Sequence, residues 1–375
     1  MHGKRILLFA LSALSLISSC KGSGGSGEDS TLTPSPTPGG TNSAAPETFS
    51  SNTPSADRKG VWIINAGESI GGIDVGVNGF VVRLDPTTGK SGAKFNVTAP
   101  NSLVECGGDV WVGSKTSDGI FRLDAVQNSL KATISHKPDG GSVATVSSLA
   151  CTGSDVWALG LDKGYEFINI GVGSNAVNKV VPQLVPPPTS IMAASGSLYA
   201  ALMNSSIQKM DGSSGEVLKT FSLGSIMDGE YYIPLGMIPV GETLWIAAAD
   251  GNDIPYLIAV NTTSGERKSK ISLSGSTPGT QIALGQRLVL AAEGSAVWIA
   301  IQKLNEVWRI DTVAAAVTDK IAVGKEPEGI AVGLGAVWVT NKADSTVTKI
   351  DIASKKVATT YETGGKSPSR VIVTE

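Results

Sequence analysis

The chain has 375 residues, 45 of them glycine and 18 proline, a formal net charge of −3, and aromatic residues at only 5%. That slightly acidic balance leaves no basic footprint for nucleic acid, and helix signals are poor, because no long stretch carries apolar residues at helical spacing. Only two histidines are present, His2 and His136, so there is little material for general-base catalysis.

Lys4 and Arg5 form a basic n-region, and Ile6 to Ile17 form an apolar run too short to span a bilayer as a mature helix. The run ends in Ile17-Ser-Ser-Cys20, which resembles a bacterial lipobox. On that reading residues 1–19 are a lipoprotein signal peptide and Cys20 becomes the acylated first residue. An ordinary signal peptide followed by a chance cysteine is the alternative. Residues 20–58 are dominated by Gly, Ser, Thr and Pro and bury too little to offset ordering entropy, so they are expected to be a disordered tether.

From residue 59 to residue 375 the chain repeats. An apolar-aromatic-apolar strand recurs at Trp62, Trp111, Trp157, Tyr199, Trp245, Trp298 and Trp338, with spacings of 49, 46, 42, 46, 53 and 40 residues. That period is the length of a four-stranded propeller blade. The strand after each anchor ends in Asp85, Asp124, Asn169, Asp211, Asn261, Asp311 or Asp351, side chains that start turns. Gly89, Gly215 and Gly265 then supply positive φ. One aromatic per blade at the same position is read as packing between blades, and Trp308, outside the repeat position, is read the same way.

Blade 1 lacks a leading strand, because Val61-Trp62 follows directly on the tether. Pro368-Ser-Arg-Val-Ile-Val373 matches Pro327-Glu-Gly-Ile-Ala-Val332, so the C-terminal strand is expected to join blade 1 and close the ring. The expected fold is an all-β, seven-bladed β-propeller. Trp338-Val-Thr-Asn341, Ile350-Asp351, Val357-Ala-Thr-Thr360 and Lys325-Glu-Pro-Glu-Gly-Ile-Ala331 resemble the YVTN family of seven-bladed propellers, with Trp where that family usually has Tyr. The resemblance covers blades 6 and 7 in sequence and the rest as rhythm. It implies the fold and a habit of binding, and transfers no set of functional residues.

Cys106 and Cys151 lie near the innermost strands of consecutive blades, one residue out of register when aligned on the following Trp. A disulfide in an oxidising compartment and two separate buried thiols are both open, and the offset favours the thiols. His136 follows an outer strand on the rim, so it is read as a surface residue. Streptogramin lyases share the architecture, and in that family a funnel histidine and acidic residues holding magnesium are expected. No histidine here stands at a funnel position.

Asp250-Gly-Asn-Asp253 has oxygen ligands but lacks the spacing of a calcium loop, so a turn is the leading reading and no metal site is assigned. Glu328 and Arg370, one residue out of register in adjacent blades, are placed to pair at the channel mouth, where a structural pair is the leading reading and a binding clamp the alternative. The insertions at residues 65–79 and 224–233, the second with Tyr231 and Tyr232, are the expected partner contacts.

The reading that results is a monomeric, lipid-anchored protein of the bacterial cell envelope, on the periplasmic face or the cell surface. It has no cofactor and binds a protein or an envelope polymer without catalysis. The alternative is a metal-assisted envelope hydrolase or lyase, with Asp250, Asp253, Glu328 and Asn341 as first candidates.

Overall fold

The structure, a computed structural model, describes residues 55, 57–70, 73–74, 78–116, 119–135, 137, 139–143, 145–162, 164–183, 186–224, 230–273 and 288–375. The expected signal peptide, Cys20, the tether as far as residue 54, and His136 lie outside them. Contacts divide the chain into Met1–Glu47 and Thr48–Glu375, and every described residue belongs to the second unit.

Among the described residues are seven four-stranded antiparallel sheets and a two-stranded one, Ser69–Ile70 with Ile73–Asp74; blades 2 to 7 occupy 100–134, 146–183, 188–222, 232–272, 290–322 and 327–362 in chain order. Blade 1 is composite. Its innermost strand is the C-terminal Pro368–Thr374, paired with Gly60–Asn65, which pairs in turn with Phe80–Leu84 and then Ser91–Asn96. The ring is therefore closed by the strand expected to close it. Trp62 adds a bond across the closure, its indole Nε1 donating to the Thr374 hydroxyl at 3.1 Å.

Seven apolar clusters fill the seven spaces between blades, and each contains one of the aromatic anchors. Trp62 packs blade 1 on Val110 and Val112 of blade 2. At the other end of the cycle Trp338 packs blade 7 on Val61 and Ile63 of blade 1. A strand alternates its side chains, so one face of every blade feeds the preceding space and the other face the next. Trp62, Trp111, Trp157, Trp298 and Trp338 are 0% exposed. Each such side chain removes about 200 Å² from water, worth about 5 kcal/mol as an upper figure. Trp308 is also buried, between blades 5 and 6.

A basic side chain faces the anchor across the strand pair in five blades: Arg83, Arg122, Lys209, Arg309 and Lys349 stand opposite Trp62, Trp111, Tyr199, Trp298 and Trp338. Their cationic heads lie 5.0–5.9 Å from the ring centroids.

The turn from third to fourth strand has one geometry all round the ring. The residue four after the turn's start is left-handed in every blade: Gly89, Asn128, Asn175, Gly215, Gly265, Ala315 and Lys355. The Asp or Asn at the start accepts amide bonds from the next residues, as Asp311 does from Val313 and Ala314 at 2.9 Å each. Blade 3 corrects one expectation. Asn169 pairs with Trp157 and so occupies the cation position, while the turn begins two residues later at Gly171. The third strand there, Tyr165–Gly171, is longer than in blade 2, and Ser174 rather than an Asp ties the turn to the Gly171 carbonyl.

Cys106 and Cys151 are joined in a disulfide, with their Cα atoms 5.5 Å apart. The offset that argued against the bond is what permits it. Side-chain direction reverses with each residue along a strand. Equivalent positions in neighbouring blades therefore point the same way round the ring, and a shift by one aims the two thiols into the same space, here the cluster between blades 2 and 3.

Candidate functional site

The ring has two faces. On the entry face the chain enters each innermost strand and connects second to third strands; on the exit face lie the turns from first to second and from third to fourth strands. The entry face carries the candidate site, at the mouth between blades 7 and 1.

Two matching turns build it. Glu326 before Pro327 and Ser367 before Pro368 both take φ 53°. Each turn is pinned to the loop beyond its own second strand, through Lys342 N to Glu326 O at 3.0 Å and Ala66 N to Ser367 O at 3.0 Å. The same pinning recurs as Lys115 N to Ala99 O, Leu161 N to Thr145 O and Met203 N to Pro187 O. The mouth is thus framed by loops held at their backbones, a preorganised rim.

Gly329 lets the innermost strands of blades 7 and 1 close together, since a Cβ there would lie 2.8 Å from the Ser369 carbonyl oxygen and 2.9 Å from Arg370 Cα. Across this contact Arg370 Nη1 sits 3.2 Å from Glu328 Oε1, and Lys342 Nζ lies 3.6 Å from Glu328 Oε2. These side chains are only 15–23% exposed, so solvent screens the triad less than a surface pair. Beside it opens a hollow of about 590 Å³ lined by Glu68, Glu326, Lys342, Ser345, Lys366 and Ser367, with Gly67 and Ala343. Lys366 pairs with Glu68 at 3.6 Å, both well exposed. Two carboxylates, two ammonium groups and two hydroxyls offer hydrogen bonds and charge of both signs, which suits a polar, charged ligand over an apolar one.

The remaining sequence candidates do not converge there. Asn341 is fully buried; its amide nitrogen donates to Thr346 Oγ1 at 2.9 Å and Thr348 Oγ1 at 2.8 Å, so its donors serve the inside of blade 7. Asp250 accepts from the amides of Asn252 and Ile254 at 2.8 and 3.0 Å, and Asp253, at φ 61°, donates its own amide to the Asp250 carbonyl. That loop is a turn in blade 5, with blade 6 between it and the mouth. No group of three metal-ligating side chains occurs among the described residues.

The expected tyrosine contact patch is corrected. Tyr232 is 4% exposed and packs in the core between blades 4 and 5. Tyr231 is half-buried, and its hydroxyl donates to the Met203 carbonyl. Tyr232 starts an innermost strand, Tyr232–Val240, so its ring is claimed by the inter-blade space and not by a loop.

Sequence reasoning missed a second ionic cluster on the entry face, between blades 2 and 3. Lys137 is 8% exposed, and its Nζ lies 2.9 Å from Asp162 Oδ2 and 3.0 Å from Glu166 Oε1. Burial pushes its pKa down, but hydrogen bonds from its ammonium to Asp162 and Glu166 outweigh this and leave it raised. The only signal was a lysine in a long inter-blade connection, which names no partner.

No protein-family model matches the chain, and no curated protein matches it. Solved structures do. Hydrazine synthase of Kuenenia stuttgartiensis aligns at 14% identity over 73% of this chain and 89% of that one, with a TM-score of 0.58. Apo AztD from Citrobacter koseri aligns at 12% identity over 85% and 98%, with a TM-score of 0.55. The computationally designed Ika8 protein aligns at 11% identity over 78% and 84%, with a TM-score of 0.56. The likeness is one of fold. A natural enzyme and a designed chain share it, so the fold selects no chemistry.

Proposed function

We propose that this chain is a lipoprotein of a bacterial cell envelope whose propeller binds a protein or an envelope polymer at the mouth between blades 7 and 1, without catalysing a reaction. The observation that carries the binding reading is the preorganised rim with Glu328 held between Arg370 and Lys342 beside a polar hollow. The anchor rests on the sequence alone, on the basic n-region, the apolar run and the Ser-Ser-Cys20 site. Kinship with the YVTN propellers rests on the motifs of blades 6 and 7. A monomer suits the closed ring, which leaves each innermost strand paired within its own blade.

Affinity capture of the full chain from its own envelope tests the binding. The expected result is a partner whose recovery falls in Arg370→Ala and Lys342→Ala. Turnover in a substrate screen that is lost in the same variants would sink the non-enzymatic reading. For the anchor, Cys20→Ser is expected to leave the membrane fraction, and proteolysis of intact cells separates the periplasmic face from the cell surface.

A further inference from the structure

Five blade junctions share one backbone design. The residue leading into the innermost strand, Ala99, Thr145, Pro187, Glu326 or Ser367, accepts an amide bond from the loop beyond the second strand. Alanine and proline serve there as well as the others, so the turn itself requires neither charge nor hydroxyl. The side chains of Glu326 and Ser367 are therefore surplus to the turn, and both line the hollow between blades 7 and 1.

The junction between blades 2 and 3 shows how this design seats an ammonium group. There Lys137, from the connection into blade 3, lies 2.9 Å from Asp162, in the loop beyond the second strand, and 3.0 Å from Glu166. Between blades 7 and 1 the corresponding places hold Lys366, in the connection into blade 1, and Glu68, beyond its second strand. This pair stays apart at 3.6 Å, too long for a hydrogen bond, with side chains 71% and 53% exposed. One junction is filled by its own lysine. The other leaves the hollow of about 590 Å³, a size usual for small-ligand sites.

The charges lining the hollow cancel, Glu68 and Glu326 against Lys342 and Lys366. A ligand of one sign meets as many like charges as opposite ones, whereas a ligand carrying both signs can pair with both. A neutral glycan would desolvate all four without pairing any. Lys342 is already drawn to Glu328. Lys366 makes no hydrogen bond to Glu68, and among the described residues no side chain bonds the Glu326 carboxylate or the Ser345 hydroxyl. These groups keep donors and acceptors for a ligand. We propose that the hollow takes a zwitterionic peptide segment, its ammonium group against Glu326 and Glu68 and its carboxylate against Lys366 and Ser345. This rests on the mouth between blades 7 and 1 being the binding site.

The test titrates the full chain by calorimetry with the capped peptide acetyl-Lys-Gly-Glu-amide. Two control peptides replace its lysine or its glutamate by glutamine, and chitotriose serves as a neutral glycan. Each lost charge is expected to weaken binding about tenfold, the scale of one charged hydrogen bond. Lys366→Gln is expected to abolish discrimination against the peptide without glutamate, and Glu326→Gln discrimination against the peptide without lysine. Both side chains are exposed, so both variants are expected to keep the wild-type Tm. Equal binding of the three peptides, binding of none, tighter binding of the glycan, or discrimination that survives both substitutions overturns the zwitterionic ligand. Capture from the envelope separates this from the mouth itself. A partner lost in Arg370→Ala while the peptides fail overturns the ligand class alone. A partner retained in both Arg370→Ala and Lys342→Ala overturns the mouth as the binding site, and the ligand class with it.

Discussion

Breaking the disulfide between blades 2 and 3 is expected to cost this propeller about 4 kcal/mol. The bond closes a loop of 45 residues, and the loop-closure entropy withheld from the unfolded chain at that length is about 13 cal/mol/K, which gives the figure at room temperature. A 317-residue domain unfolds with an entropy near 0.7 kcal/mol/K at its midpoint, so the loss corresponds to about 6 °C in Tm. The assay is thermal unfolding followed by circular dichroism, for wild type with and without reductant and for Cys106→Ser/Cys151→Ser. Oxidised wild type is expected to melt highest, and the double variant to be indifferent to reductant and close to reduced wild type. Cys106 is 2% exposed, so a serine hydroxyl there adds a small extra penalty, and the comparison within wild type is the cleaner one. Two titratable thiols in the oxidatively folded protein, or a reduced wild type with an unchanged Tm, would refute the reasoning.

Four further expectations follow from the geometry. Ala315→Gly, at φ 50° in a turn where three other blades use glycine, is expected to raise stability by about 0.5 kcal/mol in denaturant titration. Lys137→Met removes the cation shared by Asp162 and Glu166 and is expected to destabilise by about 2–3 kcal/mol; because the Lys137 pKa is raised on folding, its contribution is complete below about pH 10.4 and is lost as pH rises through the folded value, which unfolding from pH 8 to 11 will follow. Amide and hydroxyl donors hold the turn carboxylates Asp85, Asp211, Asp311 and Asp351 below the ordinary range; their stabilisation is therefore present above about pH 4 and disappears as pH falls through the lower folded values, and Asp311→Asn, mimicking Asn261, should lessen this acid loss. Deleting residues 368–375 leaves Gly60–Asn65 as an unpaired inner edge, held only by Phe80–Leu84, and opens the ring, with concentration-dependent aggregation expected in light scattering.

Repetition made the architecture legible. The aromatic spacing located seven blades, and the match of Pro368 to Pro327 located the closing strand, because a blade is a local unit whose period survives in one dimension. The anchors were legible as packing for the same reason. Where one blade departed from the period, reading failed: Asn169 looked like a turn residue until its pairing with Trp157 placed it two positions earlier. Tyr231 and Tyr232 looked exposed because they follow an insertion, yet Tyr232 already belongs to a strand. Asn341 carries the most recognisable motif of the chain and is closed inside its blade by Thr346 and Thr348.

By itself the sequence determined the number of blades, their order and the closing strand, since all of these follow from counting along a repeat. Contacts between blades belonged to the tertiary structure. A one-residue offset joins Cys106 to Cys151 and likewise brings Arg370 to Glu328. Whether such an offset brings two side chains together or parts them depends on which faces of two separate sheets meet, and no single strand records that. The same holds for Lys137 with its two carboxylates, which come from a connection and a loop that share no period.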